Sequence, residues 1–498
     1  MQFIVKDMDI ATGSSNIVII NTKDAEQLDL HHMDRVIVKK GRKEAIAAVN
    51  IGESRKAVAP GKIGLMEEVL AELNAKHKDN VTLLFAEKPK SVKFIHNKMS
   101  GKELNAMEMN AIISDTSKNK LTSIELTSFI VSMYVKGLTD KEVLHMTKAL
   151  AASGETISFK HKPIVDYHCI GGVPGNRTTM LVTPILVAAG LKNPKTSSRA
   201  ITSPSGTADT MEVLCPVALS AQKVRKLVNQ IGGVIAWGGG VNLAPADDKM
   251  IRIEHPLGIN AEGQMLASIM AKKSNVGATH LLLDLPIGKE AKVRNRDDAK
   301  KLSVKFKKLG KELRIKVKTI ITDGEEPVGN GIGPVLEAKD CLYLLKNDPR
   351  GPQDLLRRSI KMAGQILEFV KAVPRGRGTS TARRLMKSGA AYGAMVRIIE
   401  AQGGKEVLPD ALPTAPYKYD IKASKEGKII DMDNKGISKV ARLAGSPIDQ
   451  VAGLYLKKHA GDSVKKGAVI MTIHAKSKRK IKYAVDYYKG YPDCIKIK

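Results

Sequence analysis

The sequence predicts a multidomain α/β protein. It has a small N-terminal β-barrel-like module, a helical domain, a large α/β domain with a central mixed sheet, and a C-terminal α+β barrel-sandwich domain. Three observations lead there. Short β-branched runs dominate both ends of the chain, capping-box helices fill residues ~90–155, and strand-like and helix-like segments alternate from ~160 to ~410. At 498 residues there is room for several domains. The composition shifts place the boundaries at 1–86, 87–160, 161–412 and 413–498.

Each element follows from its residues. FIVKDMDI, NIVIIN, RVIVKKG, EAIAAVNIG and VTLLFAEKP are strand-like runs broken by Gly, Asn and Asp turns, and KIGLMEEVLAEL reads as a helix among them. Three S/T-x-x-E spacings mark helix starts: Ser100 with Glu103, Thr122 with Glu125, and Thr139 with Glu142. The second of these helices carries Ile124, Phe129, Ile130 and Met133 near one face and stops at Gly137; the third runs to Ser153. PIVDYHCI, HLLLDLPIG and ELRIKVKTIITDG are strands. TTMLVTPILVAAG and AQKVRKLVNQIG are helices, and VPRGRGTS (373–380) is a basic loop. YDIKAS, GKIIDMD, AGLYLKKHAG and AVIMTIHAK return to short strands. GDSVKKGAVIMTIHA has the look of a lipoyl-carrier half-barrel, but it lacks the modified-lysine tripeptide and is read as structural.

Composition narrows the function. Hydrophobic residues are 43% and charged residues 27%, which is globular, and aromatics are only 4%, so the core is aliphatic. The net charge of +30 favours anionic partners. Lysine is spread through every segment, with modest runs such as KSKRKIKY, and aromatic stacking platforms are few; both features argue against nucleic acid. No apolar run approaches the ~20 residues of a membrane span, and the N-terminus is not a secretory leader. Four dispersed cysteines without a CxxC pair point to a reducing cytoplasm, and the eleven histidines show no metal-ligand spacing.

The chemistry lies in residues 161–210. A glycine loop, Gly171-Gly172-Val173-Pro174-Gly175-Asn176-Arg177-Thr178-Thr179, precedes a helix. Such loops let backbone N–H groups approach an anion at the positive end of the helix; a plain structural turn is the alternative. A second loop over residues 197–207 holds six hydroxyl residues and one Arg in eleven positions. It reads as a phosphate or sugar cradle, the other possibility being a solvated linker.

The motifs HCIGGVPGNRTT, SSRAITSPSGTADTME, WGGGVNLAPADD, LASIMAKK and AGDSVKKGAVIMTIHAK together resemble the nucleoside phosphorylase II family of thymidine and pyrimidine nucleoside phosphorylases over residues ~90–498. AITS stands where the pyrimidine enzymes have a GLGHT-like sequence. With the extra N-terminal module, this makes the chain look most like the archaeal AMP phosphorylases of that family. The resemblance implies that AMP and phosphate give adenine and ribose 1,5-bisphosphate, with CMP and UMP as further substrates. It implies no cofactor, with inorganic phosphate as co-substrate and no metal, and a cytoplasmic homodimer or higher homo-oligomer whose helical domain closes on the α/β domain.

The family pattern places the nucleotide against Gly172, Ser198, Arg199, Ala200, Ile201, Thr202, Ser203, Thr207, Ser268 and Lys292, and aligns His168 with an active-site histidine. Arg199 suits a 5′-phosphate because its planar fork matches phosphate oxygens. Ser197 and Thr207 align with phosphate-holding hydroxyls, and Thr179 adds another. Ser268 and Lys272, four apart, share a helix face from which Lys272 could stabilise the departing base. The AMP phosphorylase pattern puts a proton-donating Asp in a sequence like LSIDP, where this chain reads Leu257-Gly258-Ile259-Asn260-Ala261. Asn260 can donate a hydrogen bond but no proton. A weakened homologue, a substitute carboxylate (Glu262, Glu254, Asp247 or Asp248) and an altered residue all remain open. A magnesium-dependent phosphoribosyltransferase of the anthranilate type is the competing enzyme. It shares a Gly-Gly loop and an SSxSGxAD-like segment, and Asp247-Asp248 would resemble its metal site.

Overall fold

The computed structural model describes residues 1–13, 16–200 and 203–498, so Ile201 and Thr202 lie outside the described residues. The chain forms two compact units: Met1–Ser153 with Ala244–Ile269, and Gly154–Leu243 with Met270–Lys498.

The first unit opens with a closed six-stranded barrel of β1 (Gln2–Asp7), β2 (Ile17–Asn21), β3 (Arg35–Lys40), β4 (Lys43–Gly52), β5 (Lys62–Leu65) and β6 (Asn80–Phe85), in the order β1-β5-β2-β4-β3-β6. Alternation fills its interior: Phe3 and Val5, Val36 and Val38, Ala45, Ala47 and Val49, and Val81 and Leu83 are buried at every second position. KIGLMEEVLAEL corrects the helix expected of it. Lys62–Leu65 is a strand pairing with both β1 and β2, and only Glu67–Leu73 is helical. Closure of the barrel overrides local propensity there.

The helices Ser91–Met99, Ala106–Ser117, Ser123–Lys136 and Asp140–Ala152 follow. Capping boxes form at Thr122/Glu125 and Thr139/Glu142 as read. The expected box at Ser100/Glu103 does not form. Ser100 ends a helix, and Asn105 with Glu108 caps the next. Glu103 instead accepts a hydrogen bond from Thr139 Oγ1 (2.9 Å). Phe129, Ile130 and Met133 are buried, while Ile124 is 62% exposed, off the core face. Glu142 does more than cap. Its carboxylate is buried, receives Lys98 Nζ at 2.7 and 2.8 Å, and accepts the Leu104 and Thr139 amides at 3.0 and 2.9 Å.

The second unit is built on β7 (Val165–Cys169), β8 (Asn193–Ser197), β9 (Gly233–Trp237), β10 (His280–Ile287) and β11 (Lys316–Asp323). Pairing gives β11-β10-β7 and β8-β9, joined by a single bridge between Ile164 and Lys192 at the amino ends of β7 and β8. Every one of these pairings is parallel, which corrects the expected mixed sheet. Helices intervene between successive strands and return the chain to its starting edge, so direction is preserved. The helix Thr178–Ala188 is buried along its length and packs on Gln353–Phe369 and Ala390–Gln402. The basic loop at 373–380 stops short of its expected end, since a helix begins at Gly378.

The C-terminal part has two antiparallel sheets around one aliphatic core. One runs β12 (Gly331–Ile332), β15 (Gly453–Leu456), β17 (Val469–Ala475), β13 (Tyr417–Lys422). The other runs β16 (Ser463–Val464), β14 (Gly427–Met432), β18 (Ile495–Ile497). The helices Asn434–Ala444 and Lys478–Gly490 complete that core. No described helix is long and apolar enough to cross a membrane.

Removing the buried Glu142 carboxylate strands Lys98 in an apolar interior. Glu142→Ala should lower unfolding stability by about 3–5 kcal/mol in urea titrations, and Lys98→Met/Glu142→Met should recover most of the loss.

Candidate functional site

The strand order locates the crevice. β7, β8 and β9 progress one way across the sheet, and β10 and β11 lie on the other side of β7. The order therefore reverses between β7 and β10. In open α/β sheets, ligands bind outside the carboxyl ends of the strands at that reversal. His168 and Cys169 close β7, and the glycine loop follows. Gly171 and Gly172 sit at φ 92° and 94°, where a side chain is strained. A Cβ on Gly172 would lie 3.0 Å from the Lys292 amide nitrogen, so the loop after β7 rests on the loop after β10. Lys292 is exposed beside it.

Arg177 stitches this loop to the next. Its guanidinium is buried, pairs with Glu337 through Nε, donates to the Asn176 carbonyl (2.9 Å) and the Ser205 carbonyl, and reaches Thr207 Oγ1 at 3.5 Å. Thr210 Oγ1 donates to the same Glu337 carboxylate (2.7 Å). Thr178 donates to Asn176 Oδ1 at 2.7 Å, and Thr179 is buried in the first turn of the helix.

In the second loop Asp209 accepts the Ala200 and Gly206 amides at 2.7 and 2.8 Å, which closes the turn. Ser203 donates to the Ser205 carbonyl at 2.7 Å, Ser198 is exposed, and Ser197 ends β8. Arg199 departs from its expected role. Its guanidinium is held by Glu212 (Nη2 to Oε1 2.6 Å) and Asp209 (3.3 Å), 4.9 Å from the Trp237 ring centroid. It braces the loop instead of offering an open fork to a phosphate.

The strongest electrostatic feature involves residues the sequence reading passed over. Asp166 on β7 is fully buried, with Lys273 Nζ at 2.6 Å and Lys195 Nζ at 3.5 Å. Lys195, on β8, also donates to the Tyr167 carbonyl at 2.6 Å. Burial outweighs the pull of Asp166, and with Lys273 nearby the Lys195 ammonium is brought down to about 8. His168 lies in the field of these charges. Burial first, then Lys273, Lys195, Lys292 and Lys272, hold its imidazole well below the usual histidine range, so it is neutral near pH 7. The Cys169 thiol is pushed up to about 12 by burial and by Asp284, which makes it no nucleophile. The one outward signal of this cluster was the single charge of Asp166 inside the largely apolar run PIVDYHCI; Lys195, in the polar stretch NPKTS, gave none. Glu337, 160 residues from Arg177, gave none.

The remaining predicted residues stand on the segment 244–275. Ser268 Oγ donates to the buried Asp247 carboxylate at 2.6 Å. Asn260 is exposed in the turn between the helices Pro245–Leu257 and Glu262–Asn275, its Nδ2 4.0 Å from Met265 Sδ. Ser268 and Asn260 belong to the first unit. Lys272 lies one turn beyond Ser268 on the same helix and belongs to the second, with His168, Gly172 and Lys292.

Comparison with known proteins gives three family matches. Residues 92–154 match the family described as "Glycosyl transferase family, helical bundle domain", residues 161–392 its "a/b domain", and residues 428–493 the "Pyrimidine nucleoside phosphorylase C-terminal domain". A Legionella pneumophila protein named "Putative thymidine phosphorylase" is 43% identical over 93% of this chain and 88% of its own. The AMP phosphorylases of Pyrococcus furiosus and Methanocaldococcus jannaschii are each 42% identical over 97% of this chain and 95% and 94% of theirs. Anthranilate phosphoribosyltransferase from Thermus thermophilus superposes at a TM-score of 0.51 with 17% identity, over 62% of this chain and 99% of its own; this likeness is one of fold.

The charge cluster has a direct readout. In an NMR titration of ring-labelled histidines, with His168→Asn identifying the resonance, His168 should remain neutral well below pH 6.5. Lys195→Met should move its midpoint upward by removing one repelling charge. The unfolded chain protonates this ring at its ordinary value, so stability should fall as pH drops through about 6.5.

Proposed function

Because the chain belongs to the nucleoside phosphorylase family of thymidine and AMP phosphorylases, we propose that it is a pentosyltransferase that cleaves AMP with inorganic phosphate to adenine and ribose 1,5-bisphosphate. The observation that carries the reading is the crevice at the strand reversal. A glycine loop lies against Lys292 there, and Lys195, Lys273 and Lys272 impose a positive field around a neutral histidine. Such a field suits two anionic reactants that must be brought together, and gathering them supplies proximity.

In this mechanism an oxygen of inorganic phosphate forms a bond to C1′ while the C1′–N bond breaks, and the electron pair leaves with the base. Ser197, Thr207 and Thr179 supply hydroxyls to the phosphate, and the glycine-loop amides supply N–H donors at the start of the helix Thr178–Ala188. Gly172, Ser198, Ala200, Ser203 and Lys292 contact the nucleotide, and Lys292 takes over the 5′-phosphate charge from the occupied Arg199. His168, being neutral, hydrogen-bonds the ligand without adding charge. Lys272 offers positive charge to the departing base. In this reading inorganic phosphate is the co-substrate and no cofactor takes part. In sequence, Asn260 stands where the family pattern has its proton-donating Asp, and an amide has no acidic proton to give, so turnover is slow.

The decisive assay is adenine release from AMP and phosphate in EDTA. Asn260→Asp should be faster than the wild type, up to ~10²–10⁴-fold. Equal rates would mean that another group supplies the proton, and activity appearing only with magnesium and a phosphoribosyl diphosphate donor would favour the transferase reading instead.

The helix Ser123–Lys136 presents Ile124, Val131 and Val135 to solvent at 62%, 38% and 67% exposure, with spacings that place them on one face. We infer that this stripe is the homodimer contact. Val131→Asp/Val135→Asp should convert the dimer to monomer in sedimentation velocity, and an unchanged mass would exclude this face.

A further inference from the structure

We propose that the cavity at the amino ends of β7 and β8 is a second, non-catalytic binding site for a ligand of the nucleotide class, one that joins a phosphate to a planar ring. The cavity measures about 410 Å³. That lies within the range of small-ligand sites and admits a nucleotide. Three separate stretches of the second unit converge on it: the segment before β7, with Phe159, Lys160 and His161; Lys192 just ahead of β8; and the helix Ala221–Ile231, with Arg225 and Asn229.

Its chemistry is one-sided. Among the described residues no carboxylate pairs with Lys160, Lys192 or Arg225, and none lines the cavity. Three cations thus face one concavity without a counter-charge, an arrangement that an anion relieves. Arg225 brings the planar fork that matches phosphate oxygens, and Lys192 is held in place by donating to Asn229 Oδ1 at 3.2 Å. That bond leaves the Asn229 amide nitrogen as a donor for a ring edge. Phe159 supplies the apolar wall. It is half-buried against the aliphatic cluster of Ile157, Val224 and Leu227, which fixes it as a platform.

The site is distinct from the catalytic crevice because the two lie at opposite ends of the same strands. The loops at 170–177 and 198–206 leave the carboxyl ends of β7 and β8, whereas this cavity adjoins their amino ends. Five residues at ~3.3 Å each separate them by roughly 15 Å. The phosphorolysis mechanism uses none of the cavity's residues.

The experiment is calorimetric titration with ADP, without inorganic phosphate or magnesium, so that no turnover is required. The wild type should bind one more ADP per chain than Lys192→Glu/Arg225→Glu, while adenine release from saturating AMP stays within twofold in that variant. Phe159→Leu, which keeps an apolar side chain on the cluster, should weaken this ADP at least tenfold and leave inorganic pyrophosphate binding unchanged. Equal ADP stoichiometry in the wild type and the double variant overturns the site, as does a wild type that binds no ADP. Pyrophosphate binding as tightly as ADP overturns the assignment to a nucleotide. Because the readout is binding, a failed site leaves the phosphorylase reading intact, and an inactive chain still tests the site.

Discussion

The second unit turns on one buried carboxylate shared by two ammonium groups. Asp166 sits on β7, Lys195 on β8 and Lys273 on the helix Glu262–Asn275, so a single side chain fastens three elements. Taking three charges out of water is costly, and the arrangement holds only because each has a partner. The charges do not cancel, however. One cation is left over in a region of low dielectric, where its field reaches farther than it would at the surface. Burial first, and that surplus of positive charge second, keep His168 uncharged. The same three residues thus fasten the elements together and help hold the neighbouring histidine neutral.

In the proposed mechanism the proton donor's position, occupied in sequence by Asn260, is the weak link. The proposed cradle for anions draws on a glycine loop, hydroxyls, helix-end amides and lysines. Leaving-group protonation is a separate requirement, and an amide does not meet it. Neither His168 nor Cys169 can stand in, the first being already neutral and the second holding its proton too tightly. A chain can therefore keep the whole binding apparatus while the bond-breaking step loses most of its acceleration.

Much of this was legible in the residues. Alternation marked the barrel interior, two of three capping boxes stood where Thr and Glu were spaced for them, and the glycine and hydroxyl loops could be found by composition. The misreadings share a physical cause. KIGL became a strand because the barrel needed a partner for β1 and β2, and the Ser100/Glu103 spacing lost to Asn105 because the turn between helices ends there. The all-parallel sheet depends on crossovers that no single strand announces. Arg199 was read as a phosphate clamp because its motif carries Arg among hydroxyls. Its own neighbours Asp209 and Glu212, ten and thirteen residues on, claim it first. The Asp166 cluster and the Arg177–Glu337 pair join residues far apart in the chain, which local pattern cannot join.

The two-residue strand β12 carries a consequence for how this chain can be divided. Gly331 and Ile332 lie within the α/β region by sequence, yet they form the edge of the C-terminal sheet by pairing with Leu454 and Tyr455. The seam is tight: a Cβ on Gly453 would fall 2.0 Å from the Ile332 carbonyl oxygen, and one on Gly333 2.4 Å from that of Ala452. The C-terminal part is therefore not a detachable module. A fragment beginning after residue 412 would leave β15 with a bare row of amides and carbonyls, an open template for pairing with other chains. A fragment ending there would leave β12 with nothing to bond.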